Sequence, residues 1–289
     1  MNGKLYIVAT PIGNLGDMPP RAVEALRGAD IIAAEDTQNS MTLLCKFDIK
    51  TKLVSNHKFN EAGSAAYFIK ELQSGKNIAL ISDAGTPCVS DPGSVLVRRA
   101  IENGVEVVGV PGACAAVLAL SVSGFDARTF VFLGFFPREN AAAGKLAEKM
   151  ETEAGVYIFY ESPKRIIKTF EYMENNLPEC EICLCNDLTK KFEMIYRGSP
   201  AQILKQLRNN PNAEKGEYTA AANVPPKRNG PAPPFDMPAE ALIVEVMVKQ
   251  NCGAKDAVKY LASQNAHNFK KNDLYAASLN LKKMFGDEN

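Results

Sequence analysis

Residues 77–104 read NIALISDAGTPCVSDPGSVLVRRAIENG. An apolar run, 77–81, enters a twelve-residue loop, 82–93, that holds two Asp, two Gly and two Pro, and a helical pattern follows it. A strand that runs into a stiff, polar loop and then a helix is half of a β-α-β unit. In open α/β sheets such loops lie at the carboxyl ends of strands, where ligands bind. The loop 82–93 is therefore expected at a binding site.

The same punctuation recurs. Strands are expected at 4–10 (KLYIVAT), 31–35 (IIAAE), 52–56 (KLVSN) and 105–110 (VEVVGV), besides 77–82, with helical stretches such as PPRAVEALRGA and NEAGSAAYFIKELQSG between most of them. Alternation of this kind argues a parallel, doubly wound sheet. After three of these strands come loops rich in Pro, Gly or Asp: ATPIGNLGD, AEDTQNS and VPGACAA. With 82–93, they would line one edge of the sheet. No G-x-G-x-x-G or G-x-x-x-x-G-K-[ST] accompanies them, so the common dinucleotide and nucleotide-phosphate fingerprints are missing.

A second series, TFVFLGFF, GVYIFYES, EICLCNDL, EMIYRG and EYTAAANV, with helices SPKRIIKTFEYMEN and SPAQILKQLRNN, predicts another sheet. Residues 225–238 (PPKRNGPAPPFDMP) hold six prolines and read as a linker. Three helices are expected beyond it. The organisation is thus an N-terminal α/β domain (1–116), a C-terminal α/β domain (117–224), the linker (225–238) and a small helical module (239–289).

The 33 basic and 33 acidic residues cancel, so a polyanionic partner must be met by a local basic surface. No apolar window approaches the roughly 18 residues of a membrane span, and a cytoplasmic protein is expected. Seven cysteines, an odd number in apolar contexts, suit reduced thiols. Cys180, Cys183 and Cys185 lie close in sequence, but Cys183 and Cys185 alternate with Ile182 and Leu184 as strand residues do, and no second Cys/His pair completes a tetrahedral set. No metal is expected.

The stretches LYIVATPIGNLGD, ADIIAAEDT, NIALISDAGTPCVSDPG, VVGVPGACAAVLALSVSG, GFFPR, YIFYESPKRI, DLTKKFE and KGE, in order from residue 5 to 217, resemble the tetrapyrrole-methylase family of S-adenosylmethionine-dependent methyltransferases. Within that family they are most similar to the branch that methylates the 2′-hydroxyl of a cytidine in the decoding region of 16S rRNA. The resemblance implies two α/β domains with the cofactor S-adenosylmethionine in the cleft between them, a homodimer, and the small ribosomal subunit, not DNA, as partner. By motif it assigns Pro11, Asp83, Gly85, Cys114, Ala115, Tyr160 and Leu188 to the cofactor. Asp36, His57, Asn60, Glu61 and Lys190 become candidates for handling the substrate hydroxyl, with Asp36 and His57 the leading pair. The family's EDTR reads EDTQ here, its HxHNE reads HKFNE and its RELTK reads NDLTK, all on the substrate side.

Glu35 and Asp36 read equally well as the N-terminal cap of a helix. Lys164, Arg165, Lys168, Lys190, Lys191, Lys227, Arg228, Lys270, Lys271, Lys282 and Lys283 are the cations available to RNA. Two other functions stay open at this point: methylation of a tetrapyrrole or other small molecule, and a non-catalytic RNA-binding or assembly role.

Overall fold

The computed structural model describes residues 1–56, 61–226, 238–264, 269 and 271–285. The chain divides into two compact units, residues 1–226 and 227–289.

In the first unit, five parallel strands form one sheet: β1 (Lys4–Val8), β2 (Ile31–Ala34), β3 (Lys52–Ser55), β4 (Ile78–Ile81) and β5 (Glu106–Val110), in the order β3-β2-β4-β1-β5. All four residues of β2 and of β4 are buried, as strands covered on both faces must be. The period of two splits them. Leu5, Ile31, Ala33, Ile78 and Leu80 pack on α3 (Glu61–Gln73) and α4 (Ser94–Glu102), while Val8, Ile32, Ala34, Ala79 and Ile81 pack on α1 (Pro20–Gly28) and α2 (Thr37–Lys46). These are the strands expected from the sequence, trimmed by a residue or two at their ends.

α5 (Ala115–Ser123) leads to the second sheet, β6 (Phe130–Phe135), β7 (Gly155–Glu161), β8 (Glu181–Asn186), β9 (Met194–Gly198) and β10 (Tyr218–Val224), in the order β6-β7-β10-β8-β9. Here only β6 and β7 run parallel; the other pairs are antiparallel. α6 (Asn140–Glu153), α7 (Ile166–Asn176) and α8 (Pro200–Asn209) pack through Met150, Phe170 and Leu204 on the face that carries Tyr157, Phe159, Ile182 and Leu184. α5, made of small residues, covers the other face, where Ile158, Cys183, Cys185 and Ala221 lie. Cys183 and Cys185 are therefore packing residues of β8, their Sγ atoms 4.0 Å apart, and Cys180 belongs to the opposite face. The helix α6 is not anticipated from the sequence.

The second unit contains α9 (Ala239–Gln250), α10 (Ala254–Gln264) and α11 (Lys271–Phe285), which bury Leu242, Ile243, Val258, Leu261, Leu274 and Leu281 against one another. Residues 227–237 of the expected linker lie outside the described residues. None of the described helices is long and apolar enough to cross a membrane.

Candidate active site

The loop after β4 is fixed by the end of β1. Thr10 N–H donates to the Gly85 carbonyl at 2.8 Å, and Gly85 N–H donates back to the Thr10 carbonyl at 3.0 Å. Thr86 Oγ1 donates to the Ala113 carbonyl at 3.0 Å, tying the same loop to the segment before α5. Gly85 has φ +80°, and a Cβ built there would lie 3.3 Å from Ile12 Cγ2. Only glycine adopts this conformation without strain, and its bare backbone faces the space beside Ile12.

That space is a cavity of about 390 Å³, inside the roughly 300–1,000 Å³ range of small-ligand sites. Its floor is apolar, with Ile12 and Leu188 8% and 6% exposed. Asp83, Gly85, Asp91, Cys114 and Ala115 line it from the first sheet's loops; Phe135, Tyr160, Glu161, Glu217 and Thr219 line it from the second sheet. Of the seven residues assigned to a cofactor by motif, six line this one cavity: Asp83, Gly85, Cys114, Ala115, Tyr160 and Leu188. Pro11 is buried next to Ile12 and is not among the lining residues. Sequence reasoning missed Asp91, Phe135, Glu161, Glu217 and Thr219 as lining residues. Asp91, Phe135, Glu161 and Glu217 lay within quoted motifs but carried no pattern of their own.

Cys114 occupies the N-cap of α5 without a side-chain cap, so the first amides of α5 meet no acceptor from that side chain. Burial, reinforced by the neighbouring Cys114, pushes the Tyr160 hydroxyl up to about 12; it is a neutral group at physiological pH. Glu161, whose side chain is 0% exposed, accepts from Thr169 Oγ1 at 2.6 Å and from Ser162 N–H at 2.7 Å, and pairs with Arg165 Nη2 at 3.2 Å. Arg165 Nη2 also donates to the carbonyls of Phe136 and Pro137. This cation, read from the sequence as available to RNA, is turned inward to hold the cavity wall. Lys190 is likewise engaged, 2.8 Å from both Asp187 Oδ1 and Glu217 Oε2. Burial pulls the Lys190 pKa down, but the hydrogen bonds to Asp187 and Glu217 and the charges of these two carboxylates together outweigh it and leave it raised.

Carboxylates crowd the carboxyl edge of the first sheet. Asp83 is exposed and lines the cavity; it accepts from Asp36 N–H at 3.2 Å and from Asn39 Nδ2 at 3.3 Å. Burial holds Asp91 and Glu35 above the usual carboxylate range, and for Glu35 the charges of Asp91 and Asp83 add to it. Asp36 lies outside the cavity lining. Its Oδ1 caps α2, accepting from Gln38 N–H at 2.7 Å and Asn39 N–H at 3.3 Å. The cap reading of Asp36 thus describes its contacts, while its backbone amide joins it to Asp83. His57 and Asn60 lie outside the described residues, and no side-chain geometry is described for Glu61.

Set beside known proteins, the chain is 41% identical over 282 residues to the Haemophilus influenzae protein named ribosomal RNA small subunit methyltransferase I, covering 96% of this chain and 97% of that one. It is 38% identical over 278 residues to the Escherichia coli O157:H7 protein of the same name, covering 96% and 95%. Among solved structures, diphthine synthase superposes with a TM-score of 0.63 at 13% identity, covering 77% of this chain and 90% of that one. The uroporphyrin-III C-methyltransferase of Thermus thermophilus, solved in complex with S-adenosyl homocysteine, superposes with a TM-score of 0.54 at 12% identity over 76% and 97%. The tetrapyrrole (corrin/porphyrin) methylase family matches residues 4–204, the span that builds the first sheet, strands β6 to β9 of the second and all of the cavity but Glu217, Tyr218 and Thr219, and the chain belongs to that family.

Proposed function

We propose that this methylase uses S-adenosylmethionine to methylate a ribose 2′-hydroxyl of a cytidine in the decoding region of 16S rRNA. The observation that carries the reading is the convergence of six motif residues from both sheets on one small, mostly apolar cavity. Its chemistry suits the cofactor. Ile12 and Leu188 offer an apolar floor for a flat base, Gly85 leaves the space beside Ile12 clear of a side chain, and Asp83 and Asp91 supply negative charge for a cation. When bound, the cofactor supplies an electrophilic methyl group on a sulfonium. The relatives at about 40% identity, named for small-subunit rRNA, support the substrate.

Methyl transfer to a hydroxyl requires in-line positioning and removal of a proton. Asp36 and His57, which follow β2 and β3, are the groups proposed to steer or deprotonate that hydroxyl. Asp36 can do so only through Oδ2, since Oδ1 caps α2; Oδ2 lies 3.4 Å from Asn39 Nδ2. The helices of residues 239–289 are proposed to contact RNA or the ribosome, with Lys282 and Lys283 exposed in the last turn of α11. A homodimer acting in the cytoplasm completes the proposal. Mass spectrometry of rRNA nucleosides from a strain lacking the gene tests it: a 2′-O-methylated cytidine should disappear from 16S rRNA and return on complementation, and an unchanged nucleoside profile would overturn the reading.

A further inference from the structure

The strand β6 does not alternate regularly. Phe132 pairs with Ile158 and Phe135 with Tyr160, so three steps on β6 match two on β7. The extra residue is accommodated at Gly134, with φ +68°. Before the bulge, Phe132 faces α5 and Leu133 faces the α7 side; after it, Phe135 is on the cavity face and Phe136 returns to the α7 side. Unbroken alternation would have buried Phe135 in the core and put residue 134 at the cavity. Bulges beside functional sites commonly re-aim a side chain in this way.

The re-aimed ring is 57% exposed although it lines a cavity. Tyr160 meets it with centroids 5.8 Å apart and planes at 69°, an edge-to-face contact that leaves a ring face open to a parallel partner. Val89, 37% exposed, adds a second apolar group to the rim, from the loop of the other sheet. The two rim segments lie against each other, since a Cβ at Gly134 would be 3.6 Å from Ser90 Oγ. Ile12 and Leu188 form the buried part of the cavity, whereas Phe135 is exposed at its edge.

We propose that Phe135, flanked by Val89, is the plate on which the base of the target nucleotide stacks. The inference rests on the reading of the protein as an RNA ribose methylase and adds the residue that holds the nucleotide. A ribose inside a structured RNA reaches a recessed methyl donor only if its nucleotide is drawn out of the stack, and an extruded base is ordinarily captured on an aromatic face. The edge-to-face contact with Tyr160 packs the plate against the cavity wall.

The test uses the full chain with purified 30S subunits and, separately, S-adenosyl homocysteine. Replacing Phe135 by Ala should raise KM for 30S subunits roughly 5- to 150-fold, the loss expected for one stacked base, with S-adenosyl homocysteine affinity within about twofold of wild type. Phe135→Leu, which keeps apolar volume but not the flat ring, should fail like Phe135→Ala, while Phe135→Tyr and Phe135→Trp should restore KM. A structural role would give the opposite order, with Leu tolerated best. Weakened S-adenosyl homocysteine binding in Phe135→Ala would overturn the proposal by showing that the ring packs on the cofactor. Wild-type KM in Phe135→Leu, where wild-type protein methylates 30S subunits, would overturn the stacking role alone. If wild-type protein methylates no rRNA, the functional reading fails and the stacking role with it.

Discussion

Substituting Gly85 by Ala perturbs the point where the two strand-end loops are joined. The backbone at φ +80° costs a residue with a Cβ about 1–2 kcal/mol. The added methyl would stand 3.3 Å from Ile12 Cγ2, close enough that Ile12 must give by a few tenths of an ångström. Neither cost can be relieved by swinging the loop away, because the Gly85 amide and carbonyl are both bonded to Thr10 at 3.0 and 2.8 Å. A loss of about 1–2 kcal/mol in a unit of this size lowers the melting temperature by roughly 2–8 °C. Because Ile12 lines the cavity floor, the displacement should also weaken S-adenosyl homocysteine in calorimetry, where each factor of ten corresponds to about 1.4 kcal/mol. Differential scanning fluorimetry and titration calorimetry on the same preparation read both effects. A Gly85→Ala protein with wild-type melting temperature and affinity would refute the argument that a bare left-handed backbone at this position shapes the cavity.

Asp36→Asn keeps a capping side chain and should melt close to wild type, whereas Asp36→Ala should lose about 1 kcal/mol with the cap; if Asp36 also steers the proton, both variants lower single-turnover methylation by roughly 10²–10⁴, and wild-type turnover in Asp36→Asn would leave it a cap alone. Arg165→Met strands the fully buried Glu161 carboxylate and should cost about 3–5 kcal/mol in chemical denaturation; a loss below about 1 kcal/mol, the scale of an exposed pair, would contradict the structural role given to this pair. The raised pKa of Glu35 means that the native state binds its proton more tightly than the unfolded chain does, so its ionisation opposes folding above the ordinary Glu range. Glu35→Gln should therefore be more stable than wild type at pH 7, with the difference shrinking as pH falls toward the ordinary Glu pKa; a difference that grows on acidification would have the wrong sign.

Much of the first sheet was legible because both signals that specify it are local. Its strands are short apolar runs, and Pro, Gly or Asp closes most of them, so β1 to β5 were found to within a residue or two at each end. The second sheet's strands were legible too, but its order was not: β10 inserts between β7 and β8, a pairing of segments some sixty residues apart that no local pattern encodes. α6 escaped because its first turns, NAAAGKLA, show little polar and apolar contrast. At the site, glycine in a strand signals either weakness or a bulge, and only the pairing to β7 decides that Gly134 turns Phe135 toward the cavity. Arg165 and Lys190 looked like free surface cations; their ion pairs depend on Glu161 and Glu217, which arrive from β7 and from the turn before β10.

The proposed function has the cavity deliver a methyl group to one ribose of 16S rRNA. Purified protein, S-adenosylmethionine carrying a labelled methyl group and 30S subunits from a strain lacking the gene test it directly, with nuclease fragments of the product rRNA mapped by mass spectrometry. The proposed function predicts one label per subunit, on the 2′-oxygen of a single cytidine in the decoding region, and markedly less with the Gly85→Ala protein. Label on a base, on several scattered nucleotides, or on no RNA at all would contradict it.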